Sequence, residues 1–162
     1  MKKYFSIIIA FTFMVFYCLP AVSENSPASL KGLKEVKVIF DVNVGNPNLL
    51  LTRLNLIEKT LEGISKYSTY KAVVAIRGQA SDYMTKNNDH IKKDDIKTKE
   101  KIYFTLLNLK EKYGVTLEQC AVALGFRGIE PKEVYDIINV VENGYISIAG
   151  YQNQGYAFIP MD

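Results

Sequence analysis

Asn143-Gly144-Tyr145-Ile146-Ser147-Ile148-Ala149-Gly150-Tyr151-Gln152-Asn153-Gln154-Gly155 reads two ways, and the choice decides the fold. Taken locally, Asn143-Gly144 between apolar runs signals a tight β-hairpin. Taken with its flanks, Val140-Val141 and Tyr156-Ala157-Phe158-Ile159, it sits between two short strands in a chain that otherwise alternates strand and helix. That alternation favours a parallel sheet with crossover helices, so residues 145–154 are expected to be helical.

Working outward, Val36 to Val42 is apolar and β-branched and reads as the first strand. Asn46-Pro47 then supplies a helix cap with proline at the first helical position. Leu50, Leu54, Ile57, Leu61 and Ile64 follow at steps of four and three, one apolar helical face. Tyr70 to Arg77 is a second strand, closed by Gly78. Residues 79–93 are polar, contain Asn87-Asn88-Asp89-His90, and read as an exposed loop.

A second amphipathic helix is expected from Asp94 or Asp95, with Ile102, Tyr103, Leu106, Leu107 and Tyr113 facing inward and Gly114 ending it. Val115 to Cys120 is the third strand, and a short turn or helix fills residues 121–128. Pro131 opens another short helix expected to run through Ile138. No internal repeat or low-complexity tract interrupts this order.

The chain start indicates the compartment. Lys2-Lys3 precede an uncharged apolar run from Tyr4 to Leu19, then Pro20 and the small-residue site Ala21-Val22-Ser23. This pattern is that of an export signal over residues 1–23, cleaved after Ser23. The run is short for a membrane span, and an uncleaved anchor is the alternative. Phe16 and Tyr17 before Cys18 are too bulky for a lipoprotein signal. Residues 24–34 read as a mobile leader and 35–162 as one domain, with an extracytoplasmic, for example periplasmic, location expected.

The whole chain has 20 Lys and Arg against 17 Asp and Glu, net +3, and losing Lys2 and Lys3 brings this to +1. No basic face with interleaved aromatics remains, which argues against nucleic acid. The 48% hydrophobic content is inflated by the first segment and says nothing about an interface.

Of the two cysteines, only Cys120 lies outside that segment, so the exported domain can form no internal disulfide. Reactive groups in a parallel sheet gather beyond the carboxyl ends of the strands. Three such ends stand out: Asp41 to Asn43, Arg77-Gly78, and Cys120. Cys120 falls where a strand gives way to a helix start, whose free N–H groups can stabilise a thiolate. Arg77 would add positive charge, while Glu118, on the same face by alternation, would oppose ionisation. The alternative is a packed thiol acting as a small apolar filler.

Tyr145, Tyr151 and Tyr156 read as core or interface aromatics that could also wall a pocket. Asp94-Asp95 reads as a helix cap rather than an acid–base pair. His90 is the lone histidine with no ligand-spaced neighbour, so no metal site is expected. The glycines fit no phosphate-loop spacing, so no cofactor is expected either. A disulfide enzyme is disfavoured, since there is no C-x-x-C and no resolving cysteine.

Leu117-Glu118-Gln119-Cys120-Ala121-Val122-Ala123, then Gly128-Ile129, Val140-Val141-Glu142-Asn143-Gly144, and Gly150-Tyr151-Gln152-Asn153-Gln154-Gly155-Tyr156-Ala157 resemble, in order and spacing, the DsrE/DsrF-like family. The resemblance covers residues 35–160 and is densest after Val115. It implies a three-layer α/β/α fold with a mostly parallel five-stranded sheet, and homo- or hetero-oligomers. It also implies a role in sulfur trafficking, in which a cysteine at the position of Cys120 accepts sulfur as a persulfide. With no second cysteine after residue 23, the expected exchange partner is a donor or acceptor protein or a small thiol. The competing expectation is a non-catalytic oligomeric module that binds a small ligand or protein partner, with Cys120 structural.

Overall fold

A computed structural model of the chain describes residues 27–162. The signal expected over residues 1–23 and the first residues of the leader lie outside the described residues. Residues 27–34 include one 3-10 turn, Ala28–Leu30, and the Ser68 and Thr69 hydroxyls donate to the carbonyls of Leu33 and Lys34 at 3.3 and 2.9 Å.

Five strands follow: β1 (Glu35–Val42), β2 (Thr69–Ile76), β3 (Thr116–Cys120), β4 (Asn139–Val141) and β5 (Ala157–Pro160). They form one sheet in the order β4-β3-β2-β1-β5, and every pairing is parallel. The helices are α1 (Pro47–Ser65), α2 (Ile96–Glu111), α3 (Ala121–Arg127) and α4 (Gly144–Asn153). Gly144–Asn153 is therefore a helix, and the segment is not a hairpin. The Asn143 side chain caps α4 by accepting from the Tyr145 amide at 2.9 Å, so the residue pair that signals a hairpin locally serves here as a helix start.

The two faces of the sheet are covered unequally. Val38, Phe40 and Val42 of β1 alternate with Ala72, Val74 and Ile76 of β2 on the face packed by α1 and α2. Leu50, Leu54, Ile57 and Leu61 of α1 lie at zero exposure there, at the spacing the sequence dictates. The Asn46 carboxamide starts this helix by accepting from the amides of Asn48 and Leu49 at 3.1 and 3.0 Å. The opposite face carries a far smaller cluster: Ile39, Val73 and Ala75 against Ile148 of α4, with Tyr151 and Tyr156 alongside.

Three local expectations fail for identifiable reasons. Residues 79–93 are not simply an exposed loop. A 3-10 helix, Gly78–Tyr83, starts the segment, and Ala80, Ser81, Tyr83, Met84 and Thr85 are buried. The cause is Lys99 of α2, itself only 2% exposed, whose ammonium donates to Thr85 Oγ1 (3.0 Å), Asn88 Oδ1 (3.1 Å) and the Asn87 carbonyl, pulling the loop inward.

The helix expected after Pro131 lasts one 3-10 turn, Pro131–Glu133, because Val134 is extended and bridges antiparallel to Thr85. Asp95 precedes α2 without capping it. Its backbone is helical, continuing the turn Lys93–Asp95, whereas a capping side chain needs an extended backbone. Its carboxylate instead accepts from the Tyr83 hydroxyl at 3.3 Å.

Candidate functional site

Strand register aligns the candidate residues. Val42 pairs with Ile76 and Ile76 with Gln119, so Asn43, Arg77 and Cys120 stand side by side one step beyond. The Arg77 amide continues the ladder by donating to the Val42 carbonyl at 3.0 Å. Arg77 and Cys120 share the face covered by α4, and two residues earlier Asp41 and Glu118 share it too. Adjacent strands lie about 4.8 Å apart, so this row is compact.

Arg77 and Asp41 form a two-pronged ion pair. Arg77 Nε and Nη2 donate to the two Asp41 carboxylate oxygens at 2.7 and 2.6 Å, and Asp41 is 3% exposed. The third nitrogen, Nη1, donates to the Tyr145 hydroxyl at 3.1 Å, and the guanidinium carbon lies 4.8 Å from the centre of that ring. The hydrogen bonds that Arg77 donates to Asp41 hold its pKa above the ordinary value against the opposing effect of burial. The positive charge expected beside Cys120 is present, but it is matched by Asp41 and points away along the sheet.

Glu118 is 7% exposed and faces the underside of α4. It accepts hydrogen bonds from the Ser147 and Tyr151 hydroxyls, the latter at 2.9 Å. Burial, reinforced by the hydrogen bond to Glu118, pushes the Tyr151 phenol up to about 12, so it stays a donor at any physiological pH. Among the described residues no cation pairs with Glu118.

Cys120 is the last residue of β3 and the residue preceding α3, and it is 4% exposed. What covers it is the first turn of α4. A side chain at Gly144 would place its Cβ 3.1 Å from the Cys120 Cβ and 3.6 Å from Sγ. Only glycine leaves that approach open. Gly78 and Asn43, at the ends of two neighbouring strands, are adjacent, but they face elsewhere. Gly78 has φ +59°, and a Cβ there would come 3.4 Å from the Asn43 carbonyl oxygen, while Asn43 Nδ2 donates to Asp162 Oδ1 at 3.2 Å. Asp162 is held in turn by Arg53, whose Nε donates to its main-chain oxygen at 2.9 Å.

The structure therefore joins Asp41 to Arg77, sets Arg77 beside Cys120 in the sheet, and leaves Asn43 and Gly78 in contact with each other, apart from that pair. Gly144 and Ser147 escaped the sequence reading as site residues. The signal was available once residues 144–153 were read as a helix, because 144, 147, 148 and 151 then share its inner face.

A second concavity lies over the amino end of α1. It is a cleft of about 560 Å³ whose walls include Gln79, Asp82, Tyr83, His90, Asp95 and Arg127. Two of its charged walls are paired: Arg127 grips Asp82 through two bonds of 2.7 and 2.6 Å, and His90 lies 3.4 Å from Glu133, which is outside the cleft lining. No group of three metal-ligating side chains occurs among the described residues, and none of their helices is long and apolar enough to cross a membrane.

The sequence model of the DsrE/DsrF-like family matches residues 37–161. An uncharacterised protein of Aquifex aeolicus (strain VF5) is 30% identical over 154 residues, covering 94% of this chain. The chain spans 65% of the length of that relative. Among solved structures, MTH1491, a protein of unknown function from Methanobacterium thermoautotrophicum, superposes with a TM-score of 0.60 at 14% identity, over 77% of this chain and 98% of the other. That likeness supports the α/β architecture and carries no function.

Proposed function

The chain belongs to the DsrE/DsrF-like family, which points to sulfur-relay-related work in general, and from that premise we propose that Cys120 accepts and passes on sulfur as a persulfide. The observation that carries the proposal is the placing of the sole cysteine of residues 27–162 at the carboxyl end of a central strand, beside Arg77 and against a glycine. In the exchange, the Cys120 thiolate attacks the outer sulfur of a donor persulfide. The new bond joins Cys120 Sγ to that sulfur, the donor's S–S bond breaks, and its electron pair leaves with the donor thiolate. The proton of the donor persulfide stays on the transferred sulfur, so no oxidant is required.

The residues around Cys120 would position this step. Gly144 leaves room at Sγ, and the Asp41–Arg77 pair fixes Tyr145 at the start of α4. With no second cysteine among residues 24–162, the sulfur would pass onward to a partner's thiol or to a small thiol. The charged start, apolar run and Ala21-Val22-Ser23 of the first segment support an extracytoplasmic place of action. The uncharged outer side of α4, with Tyr145 and Ile146 each more than 60% exposed, supports a homo-oligomer.

Mass spectrometry of the protein with and without a low-molecular-weight persulfide donor tests the chemistry. Gain of one sulfur at Cys120, abolished in Cys120→Ser with the fold intact, is the expected result. Loading that persists in Cys120→Ser would sink the proposal. One observation favours a second reading, a non-catalytic binding module with Cys120 structural: the thiol is buried at 4% exposure. An unloaded Cys120 in a folded protein would select that reading.

A further inference from the structure

A buried thiol that exchanges sulfur needs a way out, and α4 is the layer that covers it. Its attachment differs in kind from that of α1. Four side chains of α1 lie at zero exposure in the main core, whereas α4 buries one large side chain, Ile148, against Ile39, Val73 and Ala75. The rest of its hold is polar: Ser147 and Tyr151 on Glu118, and Tyr145 on the Asp41–Arg77 pair. Buried apolar contacts have no substitute once exposed, but hydroxyl donors and a carboxylate can exchange partners with water at small net cost. The face holding Cys120 is thus closed by the element with the cheapest opening.

We propose that α4 is a gate over Cys120, held shut by the Glu118 latch to Ser147 and Tyr151 and by the Arg77 latch to Tyr145, and opened by local lifting of the helix. Lifting its first turn removes Gly144 from Cys120 and hydrates Glu118, while the α1 and α2 face stays packed. The gate deepens the assignment of Cys120 as a sulfur acceptor and takes its purpose from that assignment, but it can be tested without it. Ser147, Tyr151, Glu118 and Tyr145 are positioning residues in this scheme, since none touches the exchanging sulfur.

The test is the alkylation rate of Cys120 by a small maleimide on the full protein, in rising urea below the unfolding transition. For local opening the rate in wild type is well below that of a free thiol and nearly insensitive to urea. Ser147→Ala combined with Tyr151→Phe removes both donors to Glu118 and should raise the rate about tenfold or more, as expected for losing hydrogen bonds to a charged group. Leu61→Ala, in the α1 core, controls for general destabilisation and should raise the rate less at matched stability, with circular dichroism confirming that each variant is folded. Tyr145→Phe, which keeps the ring on Arg77, provides a milder latch variant should the double variant fail to fold.

Reaction of wild type at the free-thiol rate would overturn the gate. So would a urea-steep rate that the latch variants leave unchanged relative to Leu61→Ala. Persulfide loading measured on the same samples separates the two ideas: gated alkylation without sulfur gain leaves the gate standing and removes the sulfur assignment.

Discussion

Gly144 and Arg77 are the two positions where a single side chain decides the state of the site. At Gly144 any Cβ meets the Cys120 Cβ at 3.1 Å, closer than packed carbons normally approach. Gly144→Ala is therefore expected to lower stability by about 1–2 kcal/mol through overpacking, read from the urea midpoint. Because the nearest atom is the Cβ of residue 120 and not its sulfur, the loss should persist in a Cys120→Ala background. Recovery in that background would show that sulfur, not the backbone approach, sets the contact.

Arg77→Ala leaves the Asp41 carboxylate, 3% exposed, without its two-pronged partner, and a loss of about 3–5 kcal/mol is expected. Adding Asp41→Asn should recover part of it, and a double-mutant cycle measures the coupling. Additive losses would mean that the pair does not hold the face together.

At the scale of elements, legibility tracks how local the governing forces are. The apolar spacing of α1, its Asn46-Pro47 start and the β-branched β1 are consequences of residues close in sequence, and they could be read directly. The segment 79–93 could not, because its fold depends on Lys99, a residue from another element that looks like one more surface lysine in a Lys-rich helix. The same holds for the site. Cys120, Arg77 and Asp41 were visible as strand ends, but the Arg77–Asp41 pairing and the Gly144 cover arise only when α4 folds back over the sheet. The helix after Pro131 fails likewise, through a bridge to Thr85 many residues away.

Lys99 also yields a prediction at this scale. Burial pushes its ammonium down to about 8 from an ordinary value of 10.5. Between those values the unfolded chain binds more protons than the folded one, so the contribution of this group to stability rises with pH from about 8 toward 10.5. Equivalently, it is lost as the pH falls through 8. Lys99→Met keeps the length of the side chain and deletes the titration. Urea unfolding of wild type and Lys99→Met at steps between pH 7 and 10 should show the stability difference moving in favour of wild type as pH rises. A difference that is flat with pH would mean that the three oxygen acceptors around the ammonium offset its burial.

At the scale of the molecule, the sheet has one thick side and one thin side. Two long helices seal the first; a ten-residue helix without a charged residue lies across the second. Tyr145 and Ile146 of α4 are 63% and 64% exposed, Phe158 of the neighbouring edge strand 39%, and Phe126 of α3 85%. A helix with no charged residue and with large apolar side chains on its outward side is one expected to be covered in the assembled protein. A second copy of the chain is the proposed cover, and it would rest on the same helix that closes Cys120. The oligomer would then steady the gate, and dissociation would release it.

Light scattering on the size-exclusion peak decides this at the level of mass. Wild type is expected above monomer mass at micromolar concentration, and Ile146→Glu, which places a charge on the outer side of α4 away from Glu118 and Cys120, should move it toward monomer. Cys120 alkylation should quicken in the same variant if the copies lock the gate. A monomeric wild type would remove the oligomer from the proposal. An oligomer unaffected by Ile146→Glu would move the contact to Phe126 on α3, where Phe126→Glu repeats the test.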